Sequence, residues 1–300
     1  MTLSVVAIGG GHGLHATLSA LADLDVAVTA VVSVADDGGS SGRLREQFDI
    51  LPPGDVRMAL AALAPESDMK RLLGYRFDGG GDLAGHSLGN LMLTALWQEL
   101  GVVEGTAAAA RLLRARGIVV PVTEQPHHLV AEIHDEVGST SVVSGQANIA
   151  RVESKVIALH TVPQAVAPCR AALSAIDSAD VVLLGPGSWH TSVIAPLLIP
   201  GIADAINARG AALGLIANLE PANTVVNSAP SEVSAVDRAL QSLLTVARLT
   251  PDAVFVDRSD APTAQGTRVV VGNVRAGETC IHDPKMLAHT LRGWLSSLGD

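Results

Sequence analysis

The chain has 300 residues, with 20 Lys+Arg against 30 Asp+Glu and a formal charge of −10. Apolar residues make up 48%, charged residues 17%, and the mean hydropathy is +0.36, which excludes intrinsic disorder and leaves no basic footprint for non-specific nucleic-acid binding. The two cysteines, Cys169 and Cys280, are too far apart in sequence for a zinc-type spacing, so a reducing cytoplasm with two free thiols is expected.

In chain order, Leu3–Ile8 reads as a buried strand rather than a signal peptide, since the apolar run is short and no basic segment precedes it. Leu14–Ala22 reads as a helix and Val26–Val34 as a second buried strand. Short helices are expected over Asp55–Leu63 and Ser67–Leu73, then a long helix over Leu88–Leu100 capped by Ser87, and another over Thr106–Ala115. Ile118–Val122, Leu129–Ile133 and Thr140–Ser144 are short β-like runs, read as a small β insertion near residues 118–150. A helix over Gln164–Ile176 then leads to the strand Val181–Leu184. Further helices are expected over Val193–Leu198, Ile202–Ala208, Val233–Val246 and Pro284–Leu298, and strands over Ala212–Ala217, Ala253–Val256 and Arg268–Val271. Strands alternating with helices argue for one α/β domain over residues 1–300 with a mainly parallel, doubly wound sheet. No segment reaches the roughly 18 apolar residues of a membrane span.

In such a sheet, ligands sit beyond the carboxyl ends of the strands. Four of those ends carry unusual loops. Gly9–Gly13 satisfies G-x-G-x-x-G/A through Gly11, Gly13 and Ala16, between a strand and a helix. Gly10, Gly11 and Gly13 let the main chain approach a phosphate, and His12 adds a donor. The plain alternative is a tight βα turn. The second loop runs Asp36-Asp37-Gly38-Gly39-Ser40-Ser41-Gly42-Arg43. Its small residues expose amides to an anion, and arginine offers phosphate a planar fork. Two acids beside a phosphate site point to a sugar hydroxyl or a divalent cation such as Mg2+, for which Asp37 and Asp55 are the metal candidates. Asp55 is otherwise a helix N-cap, with Arg57 in the same turn.

Gly85-His86-Ser87-Leu88-Gly89 spells the serine-hydrolase elbow. That motif needs a strand directly before it, and a glycine-rich loop stands there instead. Ser87 therefore reads as a helix cap, with His86 and Asn90 facing a ligand. Gly185-Pro186-Gly187-Ser188 supplies amides from the other half of the sheet, and Asn218 ends the next strand. Trp189 reads as a packing residue. Glu124, His127, His128, Glu132 and His134 lie in an alternating strand without a helical i, i+4 pair, which argues against zinc.

Taken together, GGGHGL, VADDGGSSGRLR, PPGDVR, AGHSLGNL, LGPGSWHTS and LIPGI resemble the gluconeogenesis factor family. That family belongs to the superfamily of 2-phospho-L-lactate transferase, an enzyme of deazaflavin coenzyme synthesis. The resemblance runs from Val5 to Asn218 and more weakly beyond. It implies a Rossmann-like three-layer αβα sandwich, a cytoplasmic location and a homodimer. It also implies binding of UDP-sugars, notably UDP-N-acetylglucosamine, in a regulatory role in gluconeogenic growth and cell-shape control. The transferase branch implies a divalent cation held by aspartates and a nucleotide-linked donor. Two departures stand out: His12 replaces a threonine, and Asn218–Thr224 keeps Asn218 but lacks the Pro-Gly-Glu-Thr turn. GGSSGR replaces the transferase branch's acid-rich pattern, which favours the binding branch.

Three functions follow from the sequence. The first is a nucleotide-sugar-binding regulator that signals to a partner protein. The second is a Mg2+-dependent transferase, with Asp37, Asp55 and His86 as its catalytic candidates. The third is a serine hydrolase using Ser87. No nucleic acid or membrane span belongs to any of them.

Overall fold

The computed structural model describes residues 2–134, 139–152, 155–219, 235–258 and 267–298. The chain starts with β1 (Leu3–Gly9), α1 (Gly11–Leu21), β2 (Val26–Val32), α2 (Gly39–Phe48), α3 (Gly54–Leu63), α4 (Asp68–Gly74), α5 (Leu88–Leu100) and α6 (Val102–Leu113). It continues with β3 (Ile118–Pro121), β4 (His128–His134), β5 (Thr140–Ser144), α7 (Gln146–Ile149), β6 (Lys155–Val162), α8 (Arg170–Asp177) and β7 (Val181–Leu184). A π-helical turn over Trp189–Ile194 runs into α9 (Ala195–Leu197) and α10 (Ile202–Arg209). They are followed by β8 (Ala212–Ile216), α11 (Ala235–Ala247), β9 (Ala253–Asp257), β10 (Arg268–Gly272) and α12 (Pro284–Ser296).

Seven strands form one sheet in the order β10-β9-β8-β7-β1-β2-β3, and every pair in it is parallel. Strands buried on both faces need continuous apolar side chains. VVLL of β7 and AVFVD of β9 are buried throughout, as is VAIG at the end of β1. The chain steps outward from β1 through β2 to β3, then returns and steps the other way from β7 to β10. The reversal lies between β1 and β7, which is where a doubly wound sheet opens its binding crevice. α1 packs on α3 and α12, and α8 packs on α10. Phe255 and Trp294 meet edge to face at 5.3 Å under α12.

The β insertion is real, but its bounds differ from those expected. Ile118–Pro121 pairs in parallel with β2 and belongs to the main sheet. The separate sheet is β5-β4-β6, antiparallel, and spans residues 128–162. Leu129, Ala131 and Ile133 face inward onto Ala35, Ile149 and Ala195. The alternation in β4 set its type correctly; Ile118–Val120 is a short apolar run, which periodicity alone cannot assign to either sheet. The helix expected from Gln164 starts at Arg170, after Pro168. The one expected from Val233 is described from Ala235, since residues 220–234 lie outside the described residues. Among the described residues no single helix is long and apolar enough to cross a membrane.

Candidate functional site

The β1 and β7 ends touch through main chain. A Cβ on Gly13 would lie 2.0 Å from the Pro186 carbonyl oxygen, so only glycine allows this approach. The same holds at Gly10, where a Cβ would lie 2.5 Å from Asp55 Oδ2. The glycine motif is therefore the first turn of α1, not a loop before it. Its N-cap, Gly10, has no side-chain cap, and the first turn carries no acid. Only Asp55, from α3, reaches in to accept from the Gly11 N–H. Thr17, one turn further on, donates to the Gly185 carbonyl at 2.9 Å and locks α1 to the β7 loop.

Asn218 organises the β7 turn. Its Oδ1 accepts from Gly187 N at 2.9 Å, and its Nδ2 donates to Gly187 O at 2.7 Å. His12, Gly13, Pro186, Gly187, Ser188 and Asn218 line a cavity of about 330 Å3, closed on its far side by Leu219 and the turn Cys280–His282. That turn, held by the buried Arg275–Asp257 pair and the Arg275–His282 bridge, was not anticipated; no local pattern ties residue 280 to residue 12. Glu220–Thr224, the remainder of the departing loop, lie outside the described residues.

The second loop differs from its reading in one respect. Gly39–Phe48 is a helix, so Gly39, Ser40 and Ser41 form its first turn behind the N-cap Gly38. Ser41 Oγ accepts from Gly54 N at 3.1 Å and sits beside the Asp36 carboxylate, while Asp36 Oδ1 accepts from Gly38 N at 3.0 Å. Asp37 turns the other way and accepts from Ala147 N of the insertion at 2.8 Å. The expected metal pair of Asp37 and Asp55 is thus not the pair that the fold brings together; Asp36 is the acid that repels Asp55. Adjacent residues in extended chain point to opposite sides, and the sequence shows only that two acids are adjacent. Asp55 lies in the first turn of α3 behind Pro53 and is not its cap.

Burial and then Asp36 push Asp55 up to about 7, against the opposing Gly11 N–H and Arg57. Burial likewise raises Asp36. Arg57 acts on Asp55 and Arg45 on Asp36 in the opposite sense. Arg57 is lowered by burial and by Arg76, and His15 by burial and then by Lys70, His12 and Arg57. His15 was not singled out in the sequence.

A directed chain of hydrogen bonds links the loops. Arg57 Nε can only donate, and gives to Asn90 Oδ1 at 3.0 Å. The Asn90 amide nitrogen then donates to Ser40 Oγ at 3.0 Å, and Ser40 Oγ shares a hydrogen bond with His86 Nδ1 at 2.9 Å. Burial and then Arg43 lower the His86 pKa, which favours its neutral ring. Arg43 is tied to the Ala84 carbonyl at 2.7 Å, so it braces the loop before α5. Ser87 is fully buried and accepts from Asn90 N as the α5 cap, which removes the hydrolase elbow. Trp189 donates to Ser242 Oγ at 3.2 Å and packs against the core. No cluster of three His, Cys, Asp or Glu side chains suited to a metal occurs among the described residues.

A profile of the family described as 2-phospho-L-lactate transferase CofD matches residues 5–287. The chain belongs to this family. Within it, the chain is 41% identical to a putative gluconeogenesis factor of Mycobacterium tuberculosis, over 98% of this chain and 90% of that protein. It is also 41% identical to a gluconeogenesis factor of Halalkalibacterium halodurans, over 73% of this chain and 68% of that one. A crystal structure of a UPF0052 family member from Bacillus halodurans superposes with a TM-score of 0.85 at 32% identity, covering 97% of this chain and 99% of the other. The two chains thus share one fold.

Proposed function

We propose that the crevice binds a nucleotide-sugar of the UDP-N-acetylglucosamine type. Occupancy would signal to a regulatory protein partner in gluconeogenic growth and cell-shape control. The observation that carries this reading is the main-chain contact of Gly13 with Pro186, which sets two amide-bearing turns against one cavity. The diphosphate would take amides from the first turn of α1 at His12 and Gly13 and from Ser188, where helix N-termini and tight turns favour anions. Arg57 adds positive charge in a chain that is negative overall. Asn218 holds the Gly187 peptide in place, so Asn218→Ala should weaken UDP-N-acetylglucosamine binding about tenfold with little change in thermal unfolding. Calorimetry on both proteins tests this; equal affinity contradicts it.

The Asp36–Asp55 pair supports a second reading, a Mg2+-dependent transferase acting on a nucleotide-linked donor. Asp36 raises the pKa of the buried Asp55, a repulsion that a divalent cation would relieve, so the two acids fit one, and Mg2+ would there offset the donor's phosphate charge. The chain's own residues would hold the donor through the α1 and Ser188 amides, neutralise it with Arg57, and move a proton at His86 Nε2. Turnover of a guanylylated lactate-type donor with Mg2+, lost in Asp55→Asn, tests this reading. An absence of product across acceptors excludes it and leaves the binding reading standing.

A further inference from the structure

A second cavity, of about 570 Å3, lies away from the crevice at the edge of the main sheet. It opens between α12 and the edge of β10, the terminal strand of the sheet among the described residues. Its charged lining is entirely basic: Arg258 after β9, with Lys285 and His289 one turn apart on α12. None of the three is in an ion pair among the described residues. The net charge of the chain is −10, so a cleft whose ionisable side chains are all basic runs against its overall composition.

The strand edge supplies the second half of the argument. Arg268 N donates to the Asp252 carbonyl, and Gly272 O accepts from Arg258 N. In a parallel ladder the bonded residues alternate. Arg268, Val270 and Gly272 therefore face β9, while Val269 and Val271 turn both their N–H and their C=O outward. Val271 is 49% exposed. A small anion could use the N–H groups but not the carbonyls, whereas an extended peptide uses both.

We propose that the groove between β10 and α12 binds an acidic polypeptide segment in extended form, adding it to the sheet as an eighth strand. Strand addition beside a helix gives affinity through the main chain and selectivity through side-chain contacts. Here Arg258, Lys285 and His289 select carboxylates, and the exposed Val271 side chain takes an apolar neighbour. A second copy of this chain is a poor occupant. Two β10 edges related by a two-fold would set the same cations face to face.

The probe is fluorescein-labelled Val-Glu-Val-Glu-Val-Glu amide, followed by anisotropy with the intact chain. Saturable binding is expected, at least about tenfold weaker in Arg258→Glu/Lys285→Glu. It should be absent in Val271→Pro, because proline removes an outward N–H that β9 does not use. A Val-Lys peptide should not bind, and saturating UDP-N-acetylglucosamine should not displace the acidic one. Amide exchange at Val269 and Val271 should slow when the peptide binds, a readout that does not depend on the variants folding. Unchanged exchange there, wild-type affinity in Val271→Pro, displacement by the nucleotide-sugar, or dimerisation of the chain through this edge would each overturn the proposal. None of these outcomes bears on whether the glycine-turn crevice binds its own ligand.

Discussion

Asp55 ties the stability of the molecule to pH. Its carboxyl holds a proton up to about 7 in the folded chain, against an ordinary 3.8. The folded state then binds more protons than the unfolded chain between those two values, so stability is greatest below the window and falls as pH rises through it. Asp36, also raised, acts in the same sense. In chelator, urea unfolding should show a loss of about 2–3 kcal/mol between pH 5 and pH 8. Asp55→Asn should remove most of that loss, and Mg2+ should reduce it if the two acids hold a cation. Parallel pH slopes in the two proteins would refute this account of Asp55. At Gly13 the prediction is steric. Gly13→Ala forces a Cβ into the Pro186 carbonyl, which should cost about 1–3 kcal/mol by overpacking and separate the two turns. Thermal unfolding with UDP-N-acetylglucosamine present and absent should show a lower midpoint and no ligand-induced rise.

Among the elements, α2 carries much of the site on very little packing. Leu44 is its one buried apolar side chain among the described residues; Ser40, Ser41 and Gly42 are its other buried positions. Leu44→Ala should cost about 2–4 kcal/mol and loosen the Ser40–His86 and Ser41–Gly54 links, with a matching loss of ligand affinity measured by calorimetry. The same element shows where sequence reading ends. β1, β2 and β7 were legible because central parallel strands are continuous apolar runs, and the loops after them because glycines cluster there. α2 was not, since Gly-Ser-Ser-Gly has poor helix propensity and its helix is held by distant partners, His86, Asn90 and Gly54. β6 was missed for a related reason: its half-buried residues gain their pattern only from pairing with β4. Asp36, Arg57, His86 and Asn90 were recognised as site residues, but which acid faces Asp55 depends on backbone direction. The Cys280–His282 wall has no local signal at all.

At the scale of the whole molecule, one topological fact organises the account: the strand order reverses between β1 and β7, and the glycine turns of both strands meet there. Every proposed contact to a diphosphate comes from that reversal, since it sets one helix N-terminus and one tight turn against the same cavity. Nuclear magnetic resonance of the 15N-labelled chain, titrated with UDP-N-acetylglucosamine, reads those contacts amide by amide. The account predicts saturable shifts concentrated at His12, Gly13, Gly187 and Ser188, with Val269 and Val271 unmoved. Shifts absent from the glycine turns, or confined to another face of the sheet, would contradict it.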